Sequence, residues 1–222
     1  MTQFILEKPS CICRWRIYNQ QLPLENRLLR ALSRRMVNGK QVDRRLVAWA
    51  KQHIEWTLAS GSQCYPNGVL MLVIDEKGQA AMSVGPYTNL AHPHVSTFCA
   101  RAQSAQDEAN ITHVAPESLW ALRADTLLWC AQDIEQPNGV TSLLLDLAKT
   151  LGIRVIKDKN LLNEVQSRQA EVSEVFLVSD EHGVVIDKDH SSSLTNQLAQ
   201  SYLKLLQSTA KKRSITCLDK KP

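Results

Sequence analysis

Pro137-Asn138-Gly139-Val140-Thr141-Ser142 opens the stretch whose reading decides the fold. It runs on through Leu151-Gly152-Ile153-Arg154-Val155 and Glu174-Val175-Phe176-Leu177 to Gly183-Val184-Val185. Pro-Asn-Gly is a sharp turn, and beyond it Leu144, Leu147, Ala148 and Leu151 recur at helical spacing. Gly152 stands where such a helix ends. The pattern then predicts a strand at Arg154 to Ile156, a short helix near Leu161 to Ser167, and a strand from Glu174 to Ser179. His182-Gly183 turns the chain into a further strand, Val184 to Ile186, and Leu194, Leu198, Tyr202 and Leu205 share one face of a last helix. Helices and strands alternate, so the fold class is α+β.

The N-terminal half reads the same way. Cys11 to Tyr18 is a strand candidate, and Pro23 sits where a helix can start. Leu28, Leu29 and Leu32 recur at helical spacing among Arg27, Arg30, Arg34 and Arg35, until Asn38-Gly39 stops the run. Asp43 stands at the N-cap position of a second helix, whose apolar face is Leu46, Val47, Ala50, Ile54 and Leu58. Val69 to Ile74 is a nearly continuous apolar run that fits a strand buried on both faces. Lys77-Gly78 turns it toward a return strand at Ala80 to Val84. The segment from Gly85 to His94 reads as a connection between two lobes, 1–90 and 91–210, with a basic tail at 211–222 expected to be disordered. The second lobe opens with a strand expected at Val95 to Ala100, a polar stretch from Gln103 to Asn110, and strands at Leu119 to Leu122 and Thr126 to Trp129.

Composition narrows the function. The 222 residues carry a net charge of +4, and the tail accounts for all of it: Lys211, Lys212, Arg213, Lys220 and Lys221 against Asp219 give 5 − 1 = +4. Arg44 and Arg45 extend the arginines of the first helix onto the second. The reading takes this set as facing outward, diluted by Glu25, Asp43 and Glu55, which argues against nucleic-acid binding. No run of about 18 apolar residues occurs, and the first ten residues do not read as a signal peptide. Six cysteines without a CxxC pair read as reduced thiols of a cytoplasmic protein. His92, His94 and Cys99 are too irregularly spaced for a tetrahedral zinc site, so no metal is expected.

The stretch quoted first resembles the C-terminal lobe of the fold-type IV, or class IV, pyridoxal phosphate enzymes. This group holds branched-chain and D-amino-acid aminotransferases and aminodeoxychorismate lyase. Their pattern is a Gly-Ile/Val-Thr-Arg turn, a helix, a Leu-Gly-x-x-Val strand and a Glu-Val-Phe-Leu strand, and residues 139 to 207 keep the order. Arg14 to Tyr18, Leu22 and Arg30 resemble the small lobe, and Asn67-Gly68-Val69-Leu70 that of aminodeoxychorismate lyase in particular. The resemblance implies a two-lobed class IV aminotransferase-like fold, shortened between the lobes, and pyridoxal phosphate as cofactor. It also implies lyase or transaminase chemistry on a small amino substrate, and a homodimer. It assigns Arg30 to the cofactor phosphate, and Val140, Thr141 and Ser179 to the phosphate cradle. A turn delivering successive N–H groups at a helix start suits an anion on physical grounds as well.

The same resemblance exposes departures. The family requires a lysine for the Schiff base, yet no lysine occurs from Gly78 through Ala148; Lys77 and Lys149 bracket the gap. The carboxylate that would face the pyridine nitrogen has one local candidate, Glu108; in the alternative alignment, Thr112 stands over the lysine itself. Arg27 replaces the usual histidine of the small lobe, Ser142 replaces the arginine of the turn, and Asp180 lies where a phosphate-binding threonine belongs and would repel a dianion. Two readings follow: a pyridoxal phosphate enzyme with a lysine recruited from elsewhere, Lys77 being the least implausible, or an inactive scaffold of the same fold whose cleft binds a small anion or nothing and which serves dimer formation or partner contact.

Overall fold

The computed structural model describes residues 6–187, 189 and 191–216, with side-chain surroundings given up to 208. β1 (Pro9–Arg16), β4 (Val69–Asp75) and β5 (Ala80–Gly85) form an antiparallel sheet in the order β1-β4-β5. Cys11, Cys13 and Trp15 of β1 and Leu70, Leu72 and Ile74 of β4 point into the core. Met71 and Val73, expected to be buried, are only half-buried, because this sheet is antiparallel and covered fully on one face. Between β1 and β4 lie α1 (Glu25–Leu32), the ribbon β2 (Met36–Val37) with β3 (Lys40–Gln41), and α2 (Arg44–Gly61). The ribbon was not foreseen. Its turn is Asn38-Gly39, both at positive φ, the geometry a two-residue hairpin demands. Asp43 caps α2 as expected, accepting from Arg45 N–H at 2.6 Å.

The second sheet has the order β10-β9-β6-β7-β8, built from β6 (Glu117–Arg123), β7 (Thr126–Trp129), β8 (Arg154–Lys157), β9 (Glu174–Ser179) and β10 (Gly183–Ile186). All neighbours are antiparallel except β7 and β8. The parallel pair is bridged by α4 (Gly139–Thr150), the crossover such a pair needs. Alternation along β6 divides the interior. Trp120 and Leu122 face the first sheet, α1, α2, α4 and α6 (Ser193–Thr216). Leu119 and Ala121 face α3 (Val95–Thr112) and α5 (Leu161–Gln166). In register, Trp120 lies opposite both Trp129 and Phe176, and the rings stack at 5.8 and 6.2 Å. This aromatic ladder ties the second sheet to the core it shares with the first.

One expected strand is corrected. Val95 to Ala100 is not extended; it forms the first turns of α3, which also takes in the polar stretch 103–110. Phe98, Ala102, Ala105, Ala109 and Thr112 are buried on one face, a helical period that outweighs the local β-branched residues. The basic tail begins within the last turns of α6, and from 217 it lies outside the described residues.

Candidate functional site

Asn138 at the N-cap of α4 accepts Thr141 N–H at 2.8 Å and donates to the carbonyls of Ala115 and Pro116. The helix start is thereby pinned beneath β6. Leu28 of α1 packs on Gly139 so closely that a Cβ there would lie 2.5 Å from Leu28 Cδ2. The anion at this helix start comes from the chain itself. Asp180, in the turn after β9, accepts Val140 N–H at 2.8 Å and is also supported by Gly139 N–H. Burial pushes its carboxyl up to about 6, against the pull of those N–H groups and of Arg35. Thr141 Oγ1 is buried beside it without a hydrogen-bond partner.

Of the residues assigned to the cofactor, Val140, Thr141 and Ser179 gather around Asp180. The Ser179 hydroxyl accepts the N–H groups of Glu181 and His182 and so closes the turn. Arg30 is exposed on α1; the arginine reaching α4 is Arg27, bonded to Ser142 Oγ at 3.2 Å and Asp146 at 2.8 Å. Glu108 lies in α3, paired at 2.7 Å with Arg35. Arg35 is buried, against the expectation that these arginines all face solvent, and also donates to Cys11 Sγ at 3.5 Å. Cys11 lies 3.8 Å from Cys13, and that contact, with Arg35, draws its thiol down to about 7. Thr112 is fully buried and bonds the carbonyls of Glu108 and Val114.

A second cluster joins β1, the 86–94 connection, α3 and the β9–β10 turn. Arg14 grips Glu181 with two bonds, at 2.5 and 2.7 Å, and Arg101 grips Glu117 at 2.9 and 3.0 Å. Arg16 N–H donates to the Asp180 carbonyl, and its guanidinium lies 3.3 Å over the Tyr87 ring. His182 Nδ1 is 3.3 Å from the Tyr87 hydroxyl. Burial, aided by Arg101, Arg14 and Arg16, presses the imidazole down to about 4 despite Glu181, so it is neutral at physiological pH. No local motif announces this cluster; its members are brought together only by the sheet topology.

The mixed α+β architecture, with its two larger sheets, matches solved structures of the class IV aminotransferase fold. A provisionally assigned branched-chain amino acid aminotransferase from Thermotoga maritima matches with a TM-score of 0.55 at 14% identity, over 88% of this chain and 85% of that one. A hypothetical aminotransferase from Mycobacterium tuberculosis matches at 0.55 and 10% identity, over 95% and 94%. A provisionally assigned 4-amino-4-deoxychorismate lyase from Legionella pneumophila matches at 0.52 and 12%, over 89% and 90%. At such identities the likeness is one of fold. No family model and no curated protein matches the sequence.

The residues present do not fit pyridoxal phosphate. The N–H groups of Gly139, Val140 and Thr141 are already taken, the first two by a carboxylate that would repel a phosphate. Every lysine whose surroundings are described is exposed. Lys77 pairs with Glu7 at 2.6 Å in the β4–β5 turn, and Lys149 lies in the last turn of α4. Lys157 donates to the carbonyls of Gln132, Asp133 and Glu135. Among the described residues, no helix is long and apolar enough to cross a membrane.

Proposed function

We propose that this chain is a cofactor-free member of the class IV aminotransferase fold, acting as a binding or interaction scaffold rather than as a pyridoxal phosphate lyase or transaminase. The observation that carries the reading is the Asp180 carboxylate seated on Val140 N–H. It supplies internally the negative charge that the helix start would otherwise take from a ligand. The exposed lysines support the same reading, since an imine needs an amine held within reach of the bound aldehyde. Self-association as a homodimer in the cytoplasm belongs to this reading, and sedimentation of the purified protein measures the association. Equilibrium dialysis against pyridoxal phosphate tests the central point. Retention no greater than for a surface-lysine control agrees with it, and stoichiometric retention overturns it.

A further inference from the structure

His94 holds the N-cap position of α3, yet its side chain makes no capping bond. It turns instead toward Asp187, with Nδ1 3.7 Å from Asp187 Oδ2. Asp187 follows β10 directly, and its side chain is only 7% exposed. Asp187 Oδ1 accepts Asp189 N–H at 3.1 Å, and the Asp189 carboxylate comes to the same point. One ligand atom from each of His94, Asp187 and Asp189 lies within 4.8 Å of the other two, the one such set of three among the described residues. The fold assembles it: His94 precedes α3 and Asp187 follows β10, with all of β6 to β10 between them. β10 runs antiparallel to β9 and returns the chain toward the start of β9. Val95 packs there with Val172, Val175 and Val185, which fixes the position of its neighbour His94. A cavity of about 430 Å³ opens on the set, lined by His94, Asp187 and the first residues of β9, Glu174 and Val175.

We propose that His94, Asp187 and Asp189 form a binding site for a zinc ion. The inference does not depend on the cofactor-free reading, because Asp187 lies at the opposite end of the β9–β10 hairpin from Asp180, about 20 Å along the strands. One imidazole nitrogen and two carboxylate oxygens are a donor set that zinc takes in three-ligand sites, with water in the fourth position. The cavity supplies that open position. Tetrahedral coordination at about 2.1 Å sets neighbouring ligand atoms about 3.4 Å apart, so His94 and Asp187 already stand near the required spacing. Asp187 is the fixed, buried ligand; His94 and Asp189 are exposed, and rotamer changes close the remaining gap. Two carboxylates held together repel, and a divalent cation cancels their charge. Calcium and magnesium favour oxygen ligands throughout, and the imidazole turns the preference toward zinc. Cys99, which the sequence sets beside His94, is buried in the core on α3 and takes no part. Glu174 accepts the Thr195 hydroxyl and serves as cavity wall.

The test is calorimetric titration of the full, reduced chain with zinc chloride near neutral pH, with magnesium and calcium chloride as parallel arms. One zinc ion per chain is expected, displaced by neither magnesium nor calcium at equal concentration. His94→Ala and Asp189→Asn change exposed side chains and leave the core intact. Each weakens binding by at least about tenfold, the loss that even a supporting partner of a metal ligand brings. His113→Asn, at the other end of α3 and about 27 Å away, leaves it unchanged. So does Cys64→Ser, which removes an exposed thiol. Zinc should also raise the thermal midpoint of the parent and leave that of His94→Ala where it was. Absence of zinc binding, tighter binding of magnesium or calcium, an affinity untouched by His94→Ala, or one lost with Cys64→Ser overturns the proposal. Pyridoxal phosphate enters none of these measurements, so their outcome stands apart from whether the chain forms an imine.

Discussion

Asp180→Asn removes an ionisable group from the start of α4 while keeping an oxygen that accepts Val140 N–H. In the fold, burial raises the Asp180 carboxyl from its ordinary 3.8 to about 6. An acid whose folded pKa lies above its unfolded one binds its proton more tightly in the native state. Its stabilising contribution is therefore complete below pH 3.8 and is lost as pH rises through about 6. A shift of about two units at roughly 1.4 kcal/mol each is about 3 kcal/mol lost between pH ~4 and ~7. Glu117 and Glu135 are also raised by burial, but they remain in both proteins and cancel in the difference. Urea unfolding of parent and variant across that range is the assay. The gap between their midpoints should move by about 1–1.5 M urea in favour of the variant as pH rises, for a slope of about 2–3 kcal/mol/M. Parallel pH profiles would refute the buried, ionising Asp180 and the reasoning built on it.

Glu108→Gln strips the counter-charge from buried Arg35 and should cost about 2–3 kcal/mol of unfolding free energy, while restoring no cofactor binding; denaturant titration checks it. Gly183→Ala forces a side chain onto a residue at φ +76°, with its Cβ 2.1 Å from Tyr202 Cε1. Thermal unfolding should show a loss of about 2–4 kcal/mol, and an unchanged midpoint would mean that Gly183 does not pack against Tyr202 of α6.

Most of the fold is legible because the C-terminal elements have strong periods and clean punctuation. Glu174 to Ser179 is the strand the sequence predicts, and Asn138-Gly139 sets the start of α4 within a few residues of the expected helix. Val95 to Ala100 misleads because Val95, Thr97 and Phe98 favour strands locally. The competing helical face becomes visible only when the window extends to Thr112. Arg35 shows the limit for the site. Among the four arginines Arg27, Arg30, Arg34 and Arg35 nothing in the sequence marks it as buried, and its partner Glu108 is 73 residues away. Asp180 was legible as a misfit to a phosphate, but that it occupies the helix start itself depends on the loop after β9 folding back onto α4. The Arg16, Tyr87 and His182 cluster has no sequence signature at all, since three separate elements supply it.

The most direct test of the account is the intact mass of the protein after incubation with pyridoxal phosphate and reduction with borohydride, followed by peptide mapping. The account predicts no stoichiometric adduct, only trace labelling spread over exposed lysines. A single mass increment on one mapped lysine, with an absorption band at the visible edge before reduction, would contradict it.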